Sequence, residues 1–220
     1  MWPNDTTFRI TGPDRRERVD TAAVQCRRHN GEMSTTLVVD RSLHLLDRLN
    51  DVYLLRNLVA SEVGKQLGPE LATVITYAEV ARSASIEEAA EAGFDYVYGS
   101  NLQHALLTAR VANRTTGSSR IVLVTYNMPS AHHMSRDVYF NYPPIPESLD
   151  AARREASSAA SDGIRIDALL VAQDTTSDQA VALEDYFRPI AEATGGKVLL
   201  VTPNDGVDAS VDRLVRMNRQ

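Results

Sequence analysis

The residues best suited to chemistry are an acidic strand end, Leu37-Val38-Val39-Asp40-Arg41-Ser42, and two stretches far downstream, Tyr98-Gly99-Ser100-Asn101 and Ile121-Val122-Leu123-Val124-Thr125-Tyr126. Asp40 closes a β-branched apolar run, so its carboxylate is expected at the mouth of a sheet. There, hydroxyls from separate loops can join it around a hard cation such as Mg²⁺, which prefers oxygen ligands. The bland alternative is that Asp40 and Ser42 bond to loop backbone or cap the next helix, a common use of both residue types. His44, His132 and His133 fall in segments expected near the same edge, and imidazole suits Zn²⁺ better than Mg²⁺. Neighbours such as His132 and His133 commonly point in different directions, which disfavours a shared ion.

Nucleophilic catalysis has little support. Ser42 and Ser100 lack a nucleophile-elbow sequence and an identifiable base. The single cysteine, Cys26, has no local motif and reads as a packing residue. Gly195-Gly196-Lys197 lacks the Walker pattern and reads as a helix end before a strand, and Glu87-Glu88 with Glu91 reads as a solvated face. No enzyme activity is expected.

These residues need a scaffold of short β-branched runs separated by longer amphipathic segments, the signature of an α/β fold with a mainly parallel sheet flanked by helices on both faces. Strands are predicted at Thr35 to Asp40, Ala72 to Tyr77, Ile121 to Thr125, Ile164 to Val171 and Lys197 to Val201. Helices are predicted from Leu43 to Leu67, with Gly68-Pro69 as the stop, and over Asn101 to Asn113, Pro146 to Ala160, Ser177 to Ala193 and Asp208 to Met217. Ser83 to Tyr98 and Met128 to Pro146 read as long loops, a length often associated with recognition. Residues 1–33 read as an N-terminal extension, an edge element of the same domain being one role for it. Thr7 to Thr11 is strand-like, and Arg16 to Arg28 suits an extended edge or a short helix.

The chain has 220 residues, a length suited to one α/β domain after the extension, here 34–220. A net charge of −6 argues against nucleic acid as the main partner, because nonspecific affinity for phosphates depends on positive charge. Arg15-Arg16 with Arg18, and Arg27-Arg28, read as a solvated face. No apolar run approaches the roughly 20 residues of a membrane span, and Met1-Trp2-Pro3-Asn4-Asp5 does not read as a secretory signal. The cytoplasm is the expected compartment and no membrane is an expected partner.

Over roughly Ser34 to Arg216 the chain resembles the von Willebrand factor A (VWA) domain, a Rossmann-like fold, and in particular prokaryotic members associated with MoxR-type AAA+ ATPases and CoxE-like proteins. The resemblance rests on the order of its motifs: an apolar strand ending in Asp-x-Ser, then Gly-Ser-Asn-Leu-Gln-His-Ala-Leu before a helix, then an apolar strand entering Pro-Ser-Ala-His, then Tyr139-Phe140-Asn141-Tyr142-Pro143-Pro144. It implies a metal-ion-dependent adhesion site in degenerate form. Asp40 and Ser42 match the first loop, His44 replaces its last serine, Ser100 stands for the second-loop threonine, and Tyr126 stands where the third-loop aspartate is expected. Losing that carboxylate removes an anionic oxygen, so Mg²⁺ at Asp40, Ser42 and Ser100 is expected to be weak or absent. Asp95, Asp137 and Asp174 are the candidate substitutes.

What the resemblance implies is a noncatalytic protein-interaction module, an adaptor for a MoxR-type AAA+ ATPase, whose partner surface draws on His44, Tyr126, Asn127, His132, Tyr139, Phe140 and Tyr142. A divergent metal-dependent hydrolase and an RNA-binding VWA module are the alternatives.

Overall fold

The computed structural model describes residues 8–11, 17–20, 34–43, 50–91, 99–135 and 137–216. The chain divides into two units, Met1–Gly31 and Glu32–Gln220. In the first, β1 (Phe8–Thr11) pairs antiparallel with β2 (Glu17–Asp20) in a two-stranded sheet of their own. The remainder of Arg16 to Arg28, with Cys26, lies outside the described residues.

The second unit is built on β3 (Thr35–Asp40), β4 (Leu71–Tyr77), β5 (Ala81–Ala84), β6 (Arg120–Thr125), β9 (Arg165–Val171) and β10 (Val198–Val201), in the spatial order β10-β9-β6-β3-β4-β5. All neighbours run parallel except β5, which returns antiparallel along β4 and ends the sheet with Arg82 and Ser83 exposed. Charged and polar side chains on a short edge strand discourage pairing with another chain. The sheet is flanked by α1 (Asn50–Leu67), α2 (Ile86–Ala90), α3 (Leu102–Thr116), α4 (Pro146–Ser161), α5 (Asp178–Ala193) and α6 (Val207–Arg216). The five predicted strands and five predicted helices are all present, with ends moved by a few residues. Residues 44–49, at the start of the first predicted helix, lie outside the described residues.

Every residue of β3 and β6 is buried, as the continuous apolar runs require of strands covered on both faces. Alternation sorts their side chains. Val38, Ile121 and Leu123 pack with Leu102, Leu106 and Phe187 beneath α3 and α5, whereas Leu37, Val39, Val122 and Val124 pack with Val52, Val59, Val63 and Leu214 beneath α1 and α6. Asp40 continues the α3-facing series Thr36, Val38, and Thr125 continues Ile121, Leu123. Tyr126, one residue on, falls to the α1 side.

Two predicted loops contain regular structure. Ser83 to Tyr98 includes the end of β5 and α2, which opens with a capping box in which Ser85 and Glu88 satisfy each other's backbone N–H groups. Met128 to Pro146 contains an antiparallel hairpin, β7 (Ala131–Met134) and β8 (Asp137–Phe140). Strands and helices of four or five residues give too few positions for a period to register.

Candidate functional site

The strand order reverses between β3 and β6, and in open α/β sheets the crevice beyond the carboxyl ends at such a point is where ligands bind. Asp40 ends β3 at this point and is fully buried. Its Oδ1 accepts from the backbone N–H of Ser42 at 2.9 Å and from Ser42 Oγ at 2.6 Å. Its Oδ2 accepts from Ser100 Oγ at 3.0 Å and from Thr125 Oγ1 at 2.9 Å. One carboxylate thus ties together the loop after β3, the loop before α3 and the end of β6. Burial raises its pKa above the ordinary aspartate value, and the bonds from Ser42, Thr125 and Ser100 work in the opposite direction.

The surrounding groups close this knot. Asn127 donates through Nδ2 to Ser42 Oγ at 2.9 Å. The Tyr126 hydroxyl donates to the Ser42 carbonyl, and its ring meets that of Tyr53 edge-on at 5.2 Å. Arg56, on the same helix as Tyr53 and fully buried, donates through Nη1 to the Asp40 carbonyl at 3.1 Å and through Nε to Asn57 Oδ1 at 3.0 Å. Its guanidinium lies 5.8 Å from the Tyr53 ring centre and 5.7 Å from that of Tyr126, within cation–π range. Arg41 extends the contact outward, bonding through Nη1 to the Glu88 carbonyl of α2 at 2.8 Å.

The hairpin is fastened to the same place. Ser130 Oγ accepts from the Ser100 N–H at 3.0 Å, and the Ser100 carbonyl accepts from Ser130 and Ala131 N–H at 3.0 and 3.2 Å. A Cβ on Gly99 would come within 2.7 Å of Glu79 Cγ and 3.0 Å of Ala131 Cβ, so a glycine lets this loop lie against β7. Asn101 caps α3 and donates to His133 Nδ1 at 3.0 Å, and the His133 ring lies 4.6 Å from that of His104. His132 turns the other way, bonding Ser148 Oγ at 2.9 Å and stacking on Tyr139.

Of the metal residues expected from sequence, Asp40, Ser42 and Ser100 do converge. Their bonding does not fit a divalent cation. Both Asp40 oxygens already accept two bonds each, which fills a carboxylate, and that one carboxylate is all the acid the set contains. Among the described residues no cluster of three or more His, Cys, Asp or Glu side chains is arranged to hold a metal. His132 and His133 diverge, as strand neighbours must. Asp174 is engaged with the N–H groups of Thr176 and Ser177 at 2.8 and 2.6 Å, ahead of α5; Asp137 lies exposed on the hairpin. Asp95 and His44 lie outside the described residues.

Of the partner residues, Tyr126 and Asn127 are buried rather than at the surface, because the strand period turns Tyr126 onto α1 and Asn127 bonds inward. His132 is also buried, beneath Tyr139. Tyr139, Phe140 and Tyr142 are 42%, 38% and 48% exposed, and Met134, opposite Asp137 at the turn end of the hairpin, is 54% exposed.

A family model described as "Rv0959-like protein, vWA domain" matches residues 54–214. The chain belongs to this family. The matched span takes in Ser100, Tyr126 and the hairpin of this vWA domain and begins after Asp40. Two curated relatives, uncharacterized proteins of Mycobacterium tuberculosis (strain H37Rv) and Mycobacterium bovis, are each 29% identical over 145 residues, 63% of this chain and 20% of the relative. The vWA chain therefore spans about a fifth of their length. Among solved structures it is similar to the pilus adhesin SpaC from Lactobacillus rhamnosus GG, with a TM-score of 0.56, 15% identity, and coverage of 86% of this chain and 30% of that one. It is also similar to a mutant of the PilB minor pilin from Streptococcus sanguinis, with a TM-score of 0.54, 12% identity, and coverage of 88% and 62%. These are likenesses of fold, and the sheet is that of a Rossmann-like VWA domain.

Sequence reasoning missed Arg56 and Thr125 as members of the vWA site. Arg56 carried a signal: it follows Val52 by four residues and precedes Val59 and Val63 by three and seven, so helical spacing puts it on the apolar face. Thr125 carried one in the strand period, two residues after Leu123 on the face that Asp40 shares.

Proposed function

We propose that the chain is a noncatalytic protein-interaction module whose recognition surface is the rim at the carboxyl ends of β3 and β6 together with the β7–β8 hairpin. One observation carries the reading. Met134, Tyr139 and Phe140, and Tyr142 just beyond β8, are each exposed on or next to a hairpin that Ser100 and Ser130 fasten directly to the buried Asp40 knot. Aromatic side chains offer large contact area at low entropic cost and dominate interface energetics, and a hairpin held at its base presents them in a fixed arrangement. Membership of the vWA family supports an interaction module. The site's own bonding favours binding over turnover, since Ser42 and Ser100 donate to a carboxylate rather than to a histidine base.

The partner in this reading is a MoxR-type AAA+ ATPase, for which the module acts as adaptor, as the ordered sequence motifs suggest; a cytoplasmic location belongs to the same proposal. Among the described residues no helix is long and apolar enough to cross a membrane. The test is capture of a MoxR-type ATPase from the same genome by the immobilised chain, with Tyr139→Ser/Phe140→Ser/Tyr142→Ser as comparison. Loss of these contacts is expected to weaken binding about 100-fold, the consequence of removing hot-spot residues together. Equal capture by both proteins, or none by the wild type, would contradict the proposal.

A further inference from the structure

We infer that Arg56 and Tyr126 do the work of a cation in this site: Arg56 supplies the positive charge beside the Asp40 loop and Tyr126 braces that loop, so its shape is set without a divalent metal. A family implying a metal here meets a donor set that does not fit one, and the structure shows what stands in its stead. Arg56 is fully buried, yet its guanidinium is fixed by the Asp40 carbonyl, by Asn57 and by the faces of Tyr53 and Tyr126. A buried charge is retained only when such partners compensate it. Burial, and the neighbouring Arg41 charge, lower the Arg56 pKa, while Asp40 favours the charged form, and a guanidinium remains protonated in proteins.

Tyr126 contributes shape and one bond. Burial drives its pKa far upward, so the phenol stays neutral and keeps the proton it donates to the Ser42 carbonyl. That bond and the one from Arg56 to the Asp40 carbonyl brace the backbone on either side of Arg41. A dication brought to Asp40 would have to displace one of the four donors that fill its two oxygens and would meet the guanidinium's charge in a region shielded from water. Arg56 is thus a positioning residue, acting through the Asp40 loop.

The experiment is calorimetric titration of the full chain, stripped with chelator, with MgCl₂ and MnCl₂ up to about 10 mM, above the millimolar end of protein affinities for such ions. Wild type and Arg56→Lys, which keeps the charge, are expected to show no saturable binding. Arg56→Gln/Tyr126→Asp, which removes the cation and adds a carboxylate, is expected to gain Mn²⁺ binding that a further Asp40→Asn abolishes. Saturable binding by the wild type that Asp40→Asn removes would overturn the inference whether or not the double variant folds. A double variant with the wild-type circular dichroism spectrum and no gain of binding would overturn the role given to Arg56 and Tyr126.

Discussion

Asp40 concentrates the site's energetics in one carboxylate. Four donors, from two loops and the end of β6, meet on it in a pocket without exposed surface. Asp40→Ala would leave those donors around a void. Buried donors without partners cost about 1–3 kcal/mol each, and the hydroxyls can turn to recover part of this, so a net loss of about 3 kcal/mol is expected in urea unfolding. Asp40→Asn keeps the volume and one acceptor oxygen and should lose about half as much. An alanine variant within 0.5 kcal/mol of wild type, the range of about ±0.5 kcal/mol typical of surface changes, would show that the knot is not structural. Asp40 and Ser42 were legible in the sequence because an acid or hydroxyl at the end of an apolar strand has few other places to go, and Ser100 was legible through the order of the motifs. Tyr126 was misplaced at the surface because a tyrosine after a strand can turn either way. The partner that decides its direction, Arg56, lies 70 residues earlier on a helix, and no local pattern links the two.

Among the elements, the β7–β8 hairpin and α3 meet through a pair of histidines. His104 Nδ1 accepts from the Ala81 N–H at 3.0 Å and His133 Nδ1 accepts from Asn101, so each ring is held as an acceptor at that nitrogen. Burial, and then the neighbouring His133, lower the His104 pKa from 6.5. The folded protein therefore favours neutral His104 while the unfolded chain takes up a proton near 6.5, and stability rises with pH where the unfolded state binds more protons. The contribution is complete above that value and is lost as pH falls below it. Urea midpoints measured from about pH 8 to about pH 5 should decline on the acid side, and His104→Gln should flatten the decline. An unchanged slope in the variant would remove His104 from the account. The carboxylates with depressed pKa values, Glu62, Glu87, Asp162 and Asp174, lose their contributions at lower pH, and Asp40, whose pKa burial raises, acts with the opposite sign, so the His104 contribution is read as the difference in slope between wild type and His104→Gln. The long helices and central strands were readable because each offers several periods of pattern. The hairpin and α2 were read as loop because four or five residues do not, and because His132, His133 and Asp137 sit where apolar alternation would have marked a strand.

For the whole molecule, chain topology fixes where function can reside. The order β10-β9-β6-β3-β4-β5 puts the switch point between the two most buried strands, and the last residues of both strands converge there although they are 85 apart in sequence. Apolar runs and helical segments in alternation suffice to read a parallel sheet, whereas which strand lies beside which depends on crossovers that the runs do not encode. The convergence of Asp40 with Ser100 was therefore expected from motif order and its bonding pattern was not. The most direct measurement is hydrogen–deuterium exchange of the chain with and without the MoxR-type ATPase, which maps the partner's footprint on the fold. Protection across the β7–β8 hairpin, residues 41–43 and residues 126–128 is the expected result. Protection confined to the opposite end of the sheet, around Ser118, Gly163 and Gly195, would contradict the account.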